Sequence, residues 1–184
     1  GLALMGATVV ENAGDELVGI LMGTDPDGPS SFTYSLPPAV DYDNDEFVIT
    51  DNQLRTKQSG LDYETGHTRS VRIRVTDAGG LWLEQDFEIS VINVNEAPTA
   101  PSPATAAIDE NVEIGTRVVT FESTDPEQAT VTFSLVDGDG DDDNGLFSLS
   151  AAGELTTAQA IDHETHDPAS IRVQASDGSM TSVR

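Results

Sequence analysis

Residues 71–77, Val-Arg-Ile-Arg-Val-Thr-Asp, form an alternating apolar and polar run that returns one hundred positions later at residues 171–177 as Ile-Arg-Val-Gln-Ala-Ser-Asp. Strict alternation places every second side chain on one face, which is the pattern of a half-buried β-strand. Residues 32–36, 87–91 and 131–135 alternate in the same way. Helix-period patterns are scarce, so the sequence predicts an all-β protein.

Acidic motifs repeat together with the apolar runs. Three short acidic motifs of the first half recur in the same order in the second half. They lie at residues 11–12 and 110–111, 24–27 and 124–127, and 61–65 and 161–165. A repeat this regular indicates two copies of one domain. About seven short strands per copy, each with one apolar face, predict two tandem Greek-key antiparallel β-sandwiches, in residues 1–96 and 97–184.

The second copy differs from the first at its C-terminal end. After Asp77 the first copy continues through residues 81–94 with a last strand, whereas only seven residues follow Asp177. We therefore expect the second sandwich to be C-terminally incomplete, with its last strand missing. The neighbouring strand, residues 171–175, would then present an unpaired edge to other chains.

The net charge of −25, from 33 acidic and 8 basic side chains, limits the possible partners. Nucleic acids and anionic lipid surfaces need basic patches, so the charge argues against both. Cysteine is absent, so no disulfide constrains these small domains, and a bound metal is another way to do so. No apolar run is long enough to span a membrane.

The repeated acids are candidate calcium ligands. Calcium prefers six to eight oxygen ligands, which no single motif here supplies. Three groups would supply them together: Glu11, the pair Asp62 and Glu64, and the linker donors Asn93, Asn95 and Glu96. Asp is also a common solvated turn residue, but repetition at matched positions argues against that interpretation. Two carboxylates about 5 Å apart repel by roughly 3 kcal/mol at an effective dielectric near 20, so such a cluster needs a cation.

These motifs resemble the cadherin repeat: Glu-Asn near the first strand, Asp-x-Glu after Leu, and an Asn-rich linker ending in Pro. Residues 94–99, Val-Asn-Glu-Ala-Pro-Thr, and 24–27, Thr-Asp-Pro-Asp, are similar in sequence to the cadherin-like repeats of large bacterial surface adhesins. The resemblance implies a cadherin/immunoglobulin-like sandwich with calcium between successive repeats. It implies base ligands Glu11, Asp62 and Glu64, linker ligands Asn93, Asn95 and Glu96, and second-repeat ligands Asp125, Glu127 and Asp177.

The linker departs from the family pattern, because Asn93 and Glu96 stand where animal cadherins usually have Asp. The resemblance therefore implies about two calcium ions at the junction rather than three. Glu110, Asp162 and Glu164 would form a half-site that needs a following linker.

Other motifs are weaker. Asp139, Asp141 and Asp143 resemble the start of an EF-hand loop, but no flanking helix is visible, so we interpret them, like residues 41–45, as solvated acidic turns. His163 beside two carboxylates could suggest hydrolysis. The matching residue in the first copy is Tyr63, which favours calcium over an enzyme. Trp82, the single tryptophan, is expected to be buried at a sheet edge.

The sequence thus predicts a calcium-rigidified extracellular adhesion or spacer module of a large bacterial surface protein, and no enzyme. The expected partners are calcium ions, neighbouring repeats of the same chain and other adhesin copies. The alternative is a carbohydrate-binding doublet with a polysaccharide partner, which an exposed aromatic patch would favour. Binding to nucleic acid and insertion into a membrane are not expected.

Overall fold

A computed structural model describes residues 1–28, 31–166 and 168–184 of the chain. It divides into two compact units, Gly1–Val94 and Asn95–Arg184. The described residues form strands and two short 3₁₀ turns, Asn44–Glu46 and Asn144–Leu146. None of them forms a helix long and apolar enough to cross a membrane. The predicted all-β architecture of two sandwiches is confirmed.

Unit 1 contains eight described strands in two four-stranded sheets. The strands are β1 (Leu2–Gly6), β2 (Thr8–Val10), β3 (Leu17–Gly23), β4 (Phe32–Ser35), β5 (Phe47–Thr50), β6 (Gln53–Thr56), β7 (Thr68–Asp77) and β8 (Trp82–Ile92). One sheet has the order β1-β3-β6-β5 and the other β2-β8-β7-β4. The alternation in β7 buries Val71, Ile73 and Val75 between the sheets.

One strand pair of unit 1 departs from the expected antiparallel pattern. β2 runs parallel to β8, with Val9 opposite Val91. The chain reaches β2 by leaving the sheet of β1 at Gly6, which has φ +117. A Cβ atom at Gly6 would lie 2.4 Å from the carbonyl oxygen of Val18, so this crossing between sheets requires glycine.

Unit 2 repeats the two-sheet arrangement with fewer described strands. They are β9 (Arg117–Thr120), β10 (Thr132–Leu135), β11 (Phe147–Leu149), β12 (Glu154–Thr157), β13 (Val173–Ser176) and β14 (Thr181–Val183). The sheet orders are β11-β12-β9 and β10-β13-β14. Phe121, Phe133, Leu155, Val173 and Ala175 form the buried cluster.

The last strand of unit 2 was predicted to be missing, but its first part is present as β14. β14 pairs antiparallel with β13, and Gln174 lies opposite Val183. The backbones of Val173 and Arg184 also exchange two hydrogen bonds. β13 is therefore paired on both sides, with β10 and β14, and the predicted open edge does not exist over residues 173–176. Three residues are enough to form this strand because the preceding turn, like that before β8, brings the chain back beside its neighbour.

An apolar groove remains in unit 2 before the start of β13. It has a volume of about 450 Å³ and its lining includes Ile108, Phe121, Phe147 and Ile171. In unit 1, the second half of β8 fills the corresponding place between β2 and β7, and its Ile89 and Val91 are buried there. The sandwich of unit 2 is therefore less filled than that of unit 1.

The acidic turns are structural rather than simply solvated, which corrects their interpretation from the sequence. Asp43 Oδ2 accepts a hydrogen bond from the backbone N–H of Ser70 at 2.8 Å. Asp143 Oδ2 accepts from Ser170 in the same way at 2.7 Å. The carboxylate thus ties its turn to the central strand β7 in unit 1 and to the segment just before β13 in unit 2.

The next residue of each turn, an asparagine, binds the same segment. Asn44 is buried, its Nδ2 donates to the carbonyls of Pro37 and Arg72, and its Oδ1 accepts from the Arg72 N–H. Asn144 Oδ1 accepts from the Arg172 N–H and its Nδ2 donates to the Val136 carbonyl. In each unit the asparagine side chain thus satisfies backbone N–H and C=O groups that no neighbouring strand pairs.

Replacing Asn44 by Ala should destabilise unit 1 by about 3 kcal/mol. The change leaves buried backbone groups of Pro37 and Arg72 unsatisfied, at about 1–3 kcal/mol for each lost partner. Urea denaturation measures the effect. Asn52→Ala is the matched control, because exposed Asn52 makes one 3.4 Å bond to the Leu21 carbonyl, and it should cost under about 1 kcal/mol. Equal losses in the two variants would contradict the structural role of Asn44.

Candidate metal site

The predicted ligands of unit 1 meet where β2 and β8 end. Glu11 follows β2 directly and is 2% exposed. Its Oε2 accepts from the backbone N–H of Tyr63 at 2.8 Å, and its Oε1 accepts from the N–H of Val94 at 2.7 Å. These two donors hold a buried carboxylate between the Asp62–Glu64 segment and the start of the linker, because a charged acceptor binds backbone donors strongly.

The pair Asp62 and Glu64 lies in a turn, as convergence of the two side chains requires. Asp62 Oδ1 accepts from the backbone N–H groups of Glu64 at 2.9 Å and Thr65 at 3.2 Å. The linker contacts the side chain of Glu64, because Asn93 Nδ2 donates a hydrogen bond to Glu64 Oε1 at 3.2 Å. Unit 1 therefore brings Glu11, Glu64 and Asn93 to one end of the sandwich.

The predicted ligands of unit 2 are also joined to the linker. Asn95 Nδ2 donates to Asp177 Oδ2 at 2.7 Å, and the backbone N–H of Glu96 donates to Glu127 Oε2 at 3.1 Å. The Asn95 amide, helped by the backbone N–H groups of Met180 and Ser179, lowers the pKa of Asp177 below its ordinary value. Asp177 therefore stays ionised to lower pH than an ordinary aspartate.

Two carboxylate oxygens of unit 2 lack any hydrogen-bond donor. Asp125 is 8% exposed, and its Oδ1 accepts from the Ala129 N–H at 3.1 Å. Asp125 Oδ2 and Glu127 Oε1 are buried and have no hydrogen-bond partner among the described residues. A buried, unsatisfied carboxylate oxygen is costly, and a cation is the group that relieves it most directly. The donor set, carboxylate and amide oxygens, suits a hard cation such as calcium.

A second acidic cluster lies within unit 2. Oxygens of Glu110, Asp162 and Glu164 lie within 4.8 Å of one another, and all three residues are exposed. The backbone N–H of His163 donates to Glu110 Oε2 at 3.4 Å, which repeats the contact of Tyr63 with Glu11 at longer range. The arrangement of acids is therefore a property of the repeated fold, and its assignment as a half-site stays a prediction.

His166 and Trp82 have surroundings that the sequence did not indicate. His166 Nδ1 lies 2.7 Å from Asp143 Oδ1, so this ring is engaged by the acidic turn. The prediction that Trp82 is buried is wrong, because 59% of its surface is exposed. The single tryptophan of the chain lies at the start of β8, on the hairpin that joins β7 to β8.

No protein-family model matches the sequence. Among curated proteins, cadherin-17 of Rattus norvegicus is 28% identical over 176 residues, which cover 86% of this chain and 21% of that protein. Cadherin-4 of Mus musculus is 30% identical over 129 residues, which cover 64% of this chain and 14% of that protein. The chain thus spans about a fifth or less of the length of these relatives.

Solved structures share the fold. EC1-2 of human protocadherin-24 has a TM-score of 0.64 and 19% identity, covering 100% of this chain and 92% of that one. EC22-24 of mouse cadherin-23 has a TM-score of 0.60 and 20% identity, covering 97% of this chain and 60% of that one. The two units form a tandem pair of cadherin-like β-sandwiches. Sequence similarity and fold together support homology with the repeats of cadherins and protocadherins.

Proposed function

We propose that the chain is a calcium-binding adhesion or spacer module of an extracellular surface protein. About two calcium ions would bind the nine predicted ligands, which are Glu11, Asp62, Glu64, Asn93, Asn95, Glu96, Asp125, Glu127 and Asp177. The bound ions would neutralise carboxylate charge and fix the linker that joins the two ligand sets in sequence.

The observation that carries the proposal is the pair of orphaned oxygens, Asp125 Oδ2 and Glu127 Oε1. Domains of this size have only about 5–15 kcal/mol of stability, so two buried carboxylate oxygens without donors are a large liability. A calcium ion converts this liability into binding free energy, because its oxygen ligands need no hydrogen-bond donor. Homology with cadherin repeats supports the same ion.

The linker connects the two ligand sets without a spacer. Asn93 binds a ligand of unit 1, while Asn95 and Glu96 bind ligands of unit 2. An ion that takes ligands from both sets would restrict the motion of the linker. Its binding free energy would offset the conformational entropy that the linker loses. The mechanical role follows, since a tandem array with restricted linkers resists bending.

Calcium should therefore narrow the distribution of distances between the two units. In chelator, repulsion among carboxylates such as Glu11, Glu64, Glu96 and Glu127 should broaden that distribution. Small-angle scattering of the 184-residue chain, recorded in millimolar calcium and in chelator at matched ionic strength, measures the change. One narrow distribution in both conditions would contradict calcium-dependent stiffening.

The parent protein is proposed to be a large bacterial surface adhesin, in which this pair is one of many repeats. This part of the proposal rests on the sequences of residues 24–27 and 94–99. Neighbouring repeats and other copies of the same adhesin are then the expected partners. The acidic surface, with a net charge of −25, suits a chain that stays extended and soluble at a cell surface.

A further inference from the structure

The outer face of one unit 1 sheet carries a row of paired side chains. Because residues 71, 73 and 75 of β7 point into the core, Arg72 and Arg74 lie on the opposite face. Across the ladder, Arg72 is directly opposite Asp86 and Arg74 is directly opposite Glu84. Both pairs are ion pairs, with nitrogen–oxygen distances of 2.7 Å and 2.6 Å.

Each arginine also covers one face of an aromatic ring. The Arg72 guanidinium carbon lies 4.3 Å from the centroid of Tyr42, and that of Arg74 lies 4.5 Å from the centroid of Trp82. Tyr42 is fixed further by its hydroxyl, which donates to Asp86 Oδ2 at 2.7 Å. The rings are therefore held in place before any ligand binds, which lowers the entropy cost of binding.

The ring of Trp82 remains available on its other side. It keeps 59% of its surface exposed, although Arg74 packs against it. Leu81 beside it is 76% exposed. A tryptophan left this open on the surface is unusual, since its large apolar area normally contributes to a core or an interface.

The second copy serves as an internal control for the role of these rings. It keeps the structural turn, as Asp143 and Asn144, and the first arginine, as Arg172. Asp142 stands at the place of Tyr42. Matching the two hairpins, in which Asp77 pairs with Leu81 and Asp177 with Met180, places Thr181 where unit 1 has Trp82. Unit 2 therefore forms the same fold without either ring, so the presence of Tyr42 and Trp82 in unit 1 is not explained by folding.

We propose that the face formed by Tyr42, Arg72, Arg74, Trp82, Glu84 and Asp86 binds a neutral carbohydrate, with one sugar ring stacked on Trp82. The C–H groups on one face of a pyranose carry partial positive charge and meet the negative face of the indole. The hydroxyls at the sugar rim would bind the arginine and carboxylate groups around the ring.

The charges of the face favour a neutral ligand. Glu84 and Asp86 are each bonded to an arginine, so this face is locally balanced in a chain of net charge −25. The guanidinium of Arg72 and the Tyr42 hydroxyl lower the pKa of Asp86 to about 2, so its ion pair persists at any ordinary assay pH. A cationic peptide would find no free carboxylate in these two pairs, although it could still contact the indole.

The test uses Trp82 as its own reporter, since it is the single tryptophan of the chain. The 184-residue protein is titrated with hydroxyethyl-cellulose, xyloglucan, mixed-linkage β-glucan, galactomannan and soluble starch, with poly-lysine as the cationic arm. Binding is followed by tryptophan emission and by retardation in gels that contain each polysaccharide. Every titration is run in calcium and in chelator, because the face lies within unit 1 and its binding should not need the ion.

We expect at least one neutral polysaccharide to shift the emission and retard the protein in both conditions. Trp82→Ala should weaken retardation by about tenfold or more, whereas Leu81→Ala, on the same hairpin, should retain it. Because Trp82 is exposed, Trp82→Ala should have nearly the same melting temperature as the wild type. No shift across the neutral panel, unchanged retardation of Trp82→Ala, or a response to poly-lysine alone would overturn the proposal. None of these outcomes bears on calcium binding.

Discussion

Chelation of calcium should lower the melting temperature of the chain by about 15–30 °C. A ligand that binds only the folded state adds RT ln(1 + [L]/Kd), which is about 4 kcal/mol for millimolar ion at a micromolar site. For domains of under 100 residues, each kcal/mol shifts the melting temperature by about 4–8 °C. Differential scanning calorimetry in calcium and in chelator measures the difference.

Magnesium at the same concentration is the control for this prediction. It demands near-ideal octahedral geometry and gives up its waters reluctantly, so it should stabilise the chain far less than calcium. Superimposable melts in calcium and in chelator would show that the acidic clusters hold no ion that matters for stability.

The double variant Asp125→Asn with Glu127→Gln should act in opposite directions with and without the ion. In chelator it should stabilise unit 2 by about 1 kcal/mol or more, because a neutral amide replaces each of two carboxylates that have one buried oxygen without a donor. In calcium it should lose at least half of the stabilisation that the ion gives the wild type, since two charged ligands are gone. Melting curves of both proteins in both conditions give the comparison.

The matched control changes the same charge elsewhere in unit 2. Asp141→Asn with Asp142→Asn also removes two negative charges, from an acidic turn in which Asp141 Oδ2 accepts from the Gly138 N–H and Asp142 is exposed. It should leave the calcium effect nearly unchanged. If the turn variant loses the calcium effect while the Asp125 and Glu127 variant keeps it, the metal has been assigned to the wrong acids.

The fold followed from the sequence because its signals are local and repeated. Alternation in residues 71–77 places Val71, Ile73 and Val75 in the core, as β-strand geometry requires. The parallel pairing of β2 with β8 was not predicted from the sequence, because it depends on the crossing of the chain between the two sheets at Gly6. The positive φ of Gly6 shows this crossing in the structure, whereas amino-acid composition does not. β14 was missed because only seven residues follow Asp177, whereas a short turn already lets three of them pair with β13.

Candidate ligands could be proposed from the sequence, whereas the hydrogen bonds around them could not. The repeated acids made Glu11 a candidate ligand, and the resemblance to cadherin repeats added Asp125 and Asp177. The sequence could not show that Glu11 is held by two backbone donors, or that oxygens of Asp125 and Glu127 lack donors. Hydrogen-bond satisfaction is a property of packing and not of the motif.

The acidic turns and Trp82 show the limits of residue-type arguments. Asp43 and Asn44 belong to a stretch that looks solvated from composition, yet both bind the backbone of β7. The one signal in the sequence was their return as Asp143 and Asn144. Trp82 was expected to be buried because tryptophan usually is, but cross-strand pairing of β7 and β8 places it on the outer face beside Arg74.

Isothermal titration calorimetry of the 184-residue chain with calcium tests the central claim most directly. We expect saturable binding of about two ions at the nine-ligand site. The Asp125→Asn and Glu127→Gln variant should bind measurably more weakly, and the Asp141→Asn and Asp142→Asn variant should match the wild type. No saturable heat with the wild type, or identical isotherms for all three proteins, would contradict the calcium site.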